Sequence, residues 1–184
     1  EAEKRGLYNL VSTPEALPPL IDEKNEKLLT SHHIFIDAEL HSRYEIKLDN
    51  YVKTLHIEAG TLAEIIQKDL LPSITTYMEK IAQTAALKKS VVPDISVSAE
   101  ASLLTQLTEL SETMTKDLET LKKDTAMAEY EAGKDLLKSA KLYQSVVLSD
   151  MEKVRASADA AEVLIPDSIL PYPTYGKLLF SISD

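Results

Sequence analysis

Residues 44–81 read YEIKLDNYVKTLHIEAGTLAEIIQKDLLPSITTYMEKI. Within them Tyr44, Leu48, Tyr51, Leu55, Ala59, Leu62, Ile66, Leu70, Ile74, Tyr77 and Ile81 recur at steps of three and four. That spacing lays a single apolar stripe along an α-helix. The charged residues between them, among them Glu45, Lys47, Asp49, Lys53, Glu58, Glu64 and Lys68, mostly point elsewhere. The stripe keeps its phase through Pro72, so this proline predicts a kink in a continuing helix and not its end. Starting near Asp37, the element spans about 45 residues, or ~70 Å at the α-helical rise. No single small core covers such a length, so part of the helix is expected to project or to rest on another domain.

Outward from this helix, Ser90-Val91-Val92-Pro93-Asp94 is a break, because Pro93 disfavours helix in the residue before it. A second helix is expected from about Ser98, with Leu103, Leu107, Leu110, Met114, Leu118 and Leu121 in register. A third carries Leu136, Ala140, Tyr143, Val147, Val154, Ala158 and Ala161. The turn between them falls within 124–135, with Gly133 as its marker. Two helices of similar length on a short connection predict an antiparallel pair. The stripes consist of Leu, Ala, Ile and Met with few aromatic residues, which reads as bundle core and not as a cofactor groove.

The ends differ from the middle. Thr13-Pro14-Glu15-Ala16-Leu17 is a helix start with Thr13 as cap, and Pro18-Pro19 stops it within a turn. A second short amphipathic stretch covers 22–29. Beyond Leu164-Ile165, Pro166, Pro171 and Pro173 impose an extended path to which Leu178, Leu179, Phe180 and Ile182 add apolar residues. The fold class expected is all-α: an antiparallel helical bundle with one long proline-kinked helix, a helical hairpin and irregular N- and C-terminal segments. Three regions follow, an irregular segment at 1–36, the bundle at 37–165 and a proline-rich docking tail at 166–184.

Composition removes whole classes of function. The 184 residues contain no cysteine, which excludes disulfides, thiolate metal sites and a cysteine nucleophile. Only Gly6, Gly60, Gly133 and Gly176 occur, so neither glycine-rich phosphate loop is present. The net charge of -10 opposes nucleic acid and anionic lipid as partners. The basic dipeptides Lys88-Lys89 and Lys122-Lys123 sit near expected helix ends, where they complement the helix dipole. No stretch reaches the ~20 apolar residues of a membrane helix, and no charged-then-apolar leader is seen. An acidic, cysteine-free chain of this kind fits the cytoplasm. Glu1-Ala2-Glu3-Lys4-Arg5 reads as mid-chain helix, so the beginning reads as a cut.

The histidines call for a metal test. His32 and His33 are adjacent and, on a helix, point about 100° apart. Asp37, His41 and Glu45 fall at i, i+4 and i+8 on one face, a conceivable zinc or manganese edge, although ordinary pairing of charges explains that spacing. Neither the ExxH of di-iron bundles nor HExxH is present. His56, beside the apolar stripe, reads as a partly buried histidine with a nearby hydrogen bond. Glu109 with Glu112, and Asp117 with Glu119, are carboxylates of a solvated face. No catalytic, cofactor-binding or metal-binding residue is assigned.

Several segments, in order, resemble the C-terminal region of type III glutamine synthetases. Glu1-Ala2-Glu3-Lys4-Arg5-Gly6-Leu7, followed by Thr13-Pro14-Glu15-Ala16-Leu17, is similar to the stretch after that family's catalytic barrel. Glu39-Leu40-His41-Ser42-Arg43-Tyr44-Glu45, with Tyr51 and the helix at 55–59, resembles its next segment. Leu71-Pro72 is similar to the proline of its long helix. Residues 171–180 resemble its closing motif, with Leu170 where that motif usually carries a tryptophan. The hairpin at 96–160 is similar in pattern only.

The resemblance implies a parent enzyme that joins ammonia to glutamate through a γ-glutamyl phosphate, using ATP and Mg2+ or Mn2+. It places the catalytic motifs upstream of Glu1, so none maps onto this chain and no cofactor is expected here. It implies a structural or assembly role, with residues 1–36 and 171–180 against the catalytic domain and 94–161 as a projecting arm. The implied partners are that domain and neighbouring subunits of a homo-oligomer. The alternative is a stand-alone helical module that binds partner helices without enzymatic activity. A metal-dependent enzyme built on Asp37, His41 and Glu45 is a third reading.

Overall fold

A computed structural model of the chain describes Glu1 and residues 3–180; Ala2 and Ile182 of the sequence reading lie outside them. The chain is 79% helical, and no strand occurs among the described residues. In order, the α-helices are α1 (Thr13–Ala16), α2 (Glu23–Ser31), α3 (Asp37–Ile65), α4 (Leu71–Val91), α5 (Ser98–Ala132), α6 (Leu136–Leu142), α7 (Leu148–Glu162) and α8 (Tyr175–Leu179). Five-residue π turns join α3 to α4 (Ile66–Leu70) and α6 to α7 (Tyr143–Val147). Hence 37–91 is one helix of 55 residues, continuing past the last stripe residue, Ile81, and so longer than the stripe alone implied.

The first π turn has a cause. Pro72 brings no N–H, and in an α-turn its ring would collide with the carbonyl four residues back, that of Lys68. The wider turn takes up this mismatch just ahead of the proline, and Leu71 N–H reaches back five residues to Ile66 O. Every stripe residue from Tyr44 to Ile81 is buried or half-buried. Leu40, Val52 and Ala63 are buried beside them.

The residues group into two compact units. The first combines Glu1–Ala59 with Lys123–Ser149. Its core holds Leu40, Leu48, Val52, Leu55 and Ala59 of α3 with Ala128, Ala140, Tyr143 and Val147. Here Gly133-Lys134 turns the chain from α5 to α6, and Asp135 caps α6 by accepting a bond from Lys138 N–H at 2.9 Å. Buried Ser139 donates to Ala128 O at 2.8 Å, a contact that requires small residues on both helices.

The second unit combines Gly60–Lys122 with the residues from Asp150 onward. Its core holds Ala63, Ile66, Leu70, Ile74 and Ile81, then Leu107, Met114, Leu118 and Leu121, then Val154, Ala158, Ala161 and Ile165. Each fully buried Leu or Ile here stabilises the unit by about 1.5–3 kcal/mol. No residue between Ile81 and Leu107 is buried. The far end of the α4–α5 pair is therefore the thinly covered arm, which corrects the expectation that the arm spans 94–161. Residues 107–161 carry much of the core, while the arm is tied by the Lys88–Glu100 ion pair.

Three local expectations also shift. Where mid-chain helix was expected at the start of the chain, the described residues Glu3–Arg5 form a 3-10 turn, which Gly6 ends in the left-handed region at φ 72. The cap of α1 is Ser12, extended at φ -132, so Thr13 is already helical. The tail is not wholly extended: α8 forms where the prolines stop, and Thr174 Oγ1 accepts from Lys177 N–H at 3.4 Å.

Candidate functional site

The chemistry-bearing residues of the first unit meet where α2 hands over to α3. α2 ends in a Schellman turn: His33 N–H bonds Thr30 O and Ile34 N–H bonds Leu29 O, both at 3.0 Å. His33 takes the left-handed position at φ 55, a place that glycine usually fills. The reversal returns the chain so that α3 starts beside α2. There the donor atoms of Glu26, Asp37 and His41 all lie within 4.8 Å of one another. His41 Nδ1 is 3.3 Å from the Asp37 carboxylate and 3.2 Å from its backbone carbonyl.

Sequence spacing found two of these three residues and misplaced the third. Glu45 is not part of the group, because eight residues of helix carry it about 12 Å along the axis from Asp37. Glu26 replaces it from another helix, and only the unforeseen turn at His33 brings it there. The Glu26 carboxyl is raised above the usual carboxylate range, chiefly by its hydrogen bond to Asp37, then by burial and the Asp37 charge. Next to it, Arg43 bonds Glu39 at 2.8 Å and lies 4.9 Å over the Phe35 ring, so its charge is already used. A hollow of about 480 Å³ opens beside the cluster, with Glu26, Asp37, Glu39 and His33 in its wall.

The remaining candidates are structural. His56 Nδ1 is 2.9 Å from the Tyr143 hydroxyl, and their rings meet edge to face with centroids 6.4 Å apart. Tyr143 is fully buried, and burial followed by the Glu129 charge pushes its hydroxyl up to about 12. This bond fastens α3 at the start of the second π turn. His32 and His33 are exposed and do not converge on a common donor group. Glu109, Glu112, Asp117 and Glu119 likewise join no cluster of metal-ligating side chains among the described residues.

In the second unit a hydrogen bond fastens the tail to α7. The Tyr172 hydroxyl donates to the Glu162 carboxylate, and burial, then that bond, raises its pKa. A hollow of about 340 Å³ lies here, walled by Arg155, Leu170, Tyr172, Tyr175 and Leu178. Beyond it Leu179 is 77% and Phe180 84% exposed, an apolar end facing outward. In the first unit Leu7, Tyr8 and Val11 are exposed in the same way.

The wall of the α2–α3 hollow has three carboxylates and neither lysine nor arginine. In the hollow at the tail the single cation, Arg155, pairs with Asp159 at 3.4 Å, and Glu162 is also in the wall.

Residues 1–89 match the family described as the glutamine synthetase C-terminal domain. A glutamine synthetase of Butyrivibrio fibrisolvens is 42% identical over 182 residues, covering 99% of this chain and 26% of that protein. A type-3 glutamine synthetase of Dictyostelium discoideum is 32% identical, covering 97% of this chain and 25% of that protein. A glutamine synthetase of Bacteroides fragilis is 26% identical over 98% of this chain and 25% of its own length. The chain thus spans about a quarter of the length of these relatives. Without a strand among its described residues and similar to these relatives along almost its whole length, the chain belongs to the C-terminal domain family of type III glutamine synthetase.

Proposed function

We propose that this chain is the structural and assembly part of a glutamine synthetase. The parent joins ammonia to glutamate in the cytoplasm with ATP and Mg2+ or Mn2+, and this chain contributes no catalytic residue. The observation that carries the reading is the exposed apolar surface at α8 and at residues 7–11, on a chain a quarter as long as its relatives. Side chains such as Leu179 and Phe180 are the kind that a neighbouring domain or subunit covers. The α4–α5 arm, whose polar faces tolerate water, is left for contact with a neighbouring subunit of a homo-oligomer.

The test uses the full-length synthetase. Leu179→Asp combined with Phe180→Asp should weaken assembly, seen as smaller species in sedimentation and a fall in glutamine formation. The chain alone should form no glutamine from glutamate, ammonia and ATP. Unchanged assembly and activity in the double variant would refute the docking role, and glutamine made by the chain alone would refute the division of labour.

A further inference from the structure

We propose that the tip of the α4–α5 arm is a self-docking surface, covered by the same tip of a second copy of this chain across a twofold axis. The inference rests on the assembly reading above and names the surface and its occupant. α4 ends where Val92 N–H bonds Lys88 O at 2.9 Å, and Ile95 N–H closes the next turn on Val92 O at 3.1 Å. Pro93 stands at the second position of that four-residue turn, where its fixed φ suits it. Leu87 and Val91 lie one helical turn apart on the same face, and Val92 and Ile95 end the proline turn; all four are exposed. A turn already set by proline loses little freedom when it is covered.

Charge identifies the occupant. Residues 82–106, the stretch without a buried side chain, hold four charged residues, Lys88, Lys89, Asp94 and Glu100, two of each sign. The net charge of -10 therefore lies wholly outside the arm. Two copies repel through those acidic parts. Ten residues of α4, however, carry Val91 about 15 Å beyond Ile81, further than the ~8 Å over which charge acts in physiological salt. The tip is where a like-charged copy can come close. It is also self-complementary: Glu100 holds Lys88 within the arm, which leaves Lys89 on one side of Val91-Val92-Pro93 and Asp94 on the other. A twofold axis through that apolar centre sets Lys89 of each copy against Asp94 of the other. The apolar end at α8 differs, since it borders Asp159 and Glu162 and so suits another partner. Four apolar side chains per copy fall far short of the ~1,200 Å² of a stable interface, so the pairing operates between assembled subunits, where tethering raises its effective concentration.

The experiment is mild oxidation of the full-length synthetase carrying Val92→Cys, with peptide mapping of the disulfides formed. This chain contributes no other cysteine. A disulfide joining position 92 of two subunits is expected, while Thr115→Cys, exposed on α5, should give none between its own copies. In the Val92→Cys background, Lys89→Glu and Asp94→Lys should each cut the yield at least fivefold, because both cross pairs become repulsive. Combined, they should restore it. Circular dichroism checks that each variant remains folded. The proposal is overturned if the position-92 disulfide is no more abundant than that of Thr115→Cys, or if the charge swap fails to restore it. It is equally overturned if position 92 joins only other positions or a different protein. The Leu179→Asp, Phe180→Asp variant separates this inference from the docking role. Normal assembly of that variant beside a position-92 disulfide would leave the tip contact standing and the docking role refuted. Impaired assembly of it, with no position-92 disulfide in the Val92→Cys protein, would remove the tip contact alone.

Discussion

Tyr143 is where a single residue exposes the energetics of the first unit. It is fully buried, bonded to His56, and its hydroxyl ionises only at about 12. The unfolded chain ionises the same group near 10. From about pH 10 to 12 the unfolded state therefore loses a proton that the folded state keeps, and stability declines by about 1.4 kcal/mol per pH unit. Below pH 10 this contribution is intact. Tyr143→Phe should cost about 1 kcal/mol at neutral pH through loss of the His56 bond. Its stability should then fall less steeply between pH 10 and 12, a comparison that denaturant titration at several pH values makes directly. His56 illustrates how far a residue is legible. Its place beside the apolar stripe announces half-burial and a nearby partner, but that partner lies 87 residues away, a separation that no local pattern encodes. Glu26 was missed for the same reason, since its approach to Asp37 depends on a histidine in a backbone conformation that sequence statistics reserve for glycine.

At the scale of elements, the long helix was the most legible part, because its stripe holds phase over ten turns and packing simply follows it. What periodicity does not reveal is the geometry of the interruption: Pro72 announces a disturbance, while the π turn sits upstream of it. The second π turn, at Tyr143–Val147, has no proline and left no mark that a period count detects. Gly60 lies in α3 with nothing within 4 Å of an added Cβ. Gly60→Ala should therefore stabilise the chain by about 0.5–1 kcal/mol, through helix propensity and a less disordered unfolded state; an unchanged or lower melting temperature would contradict this. The tail gives the reverse case, where prolines hid a helix. Leu170 borders the hollow between α7 and α8. Leu170→Trp should fill part of that space and raise the melting temperature. The chain has no other tryptophan, so its emission should be blue-shifted relative to the free amino acid; a solvent-like spectrum would show that the side chain stays outside.

For the whole molecule, stability is unevenly spread. Buried residues fill both units, whereas the stretch between Ile81 and Leu107 has none. Hydrogen exchange should therefore proceed through opening of residues 82–106 well before global unfolding, with amides near Met114 and Leu118 the slowest in that unit. Uniform protection along α4 and α5 would contradict this. Among the described residues no helix is long and apolar enough to cross a membrane. A stem without a core also frees its length from its fold. Equal numbers of turns removed from, or added to, α4 and α5 beyond Ile81 and before Leu107 would disturb no buried side chain. The tip is thus an adjustable ruler: related chains can differ in reach while keeping the same foundation, and graded shortening would measure the distance to whatever the tip touches.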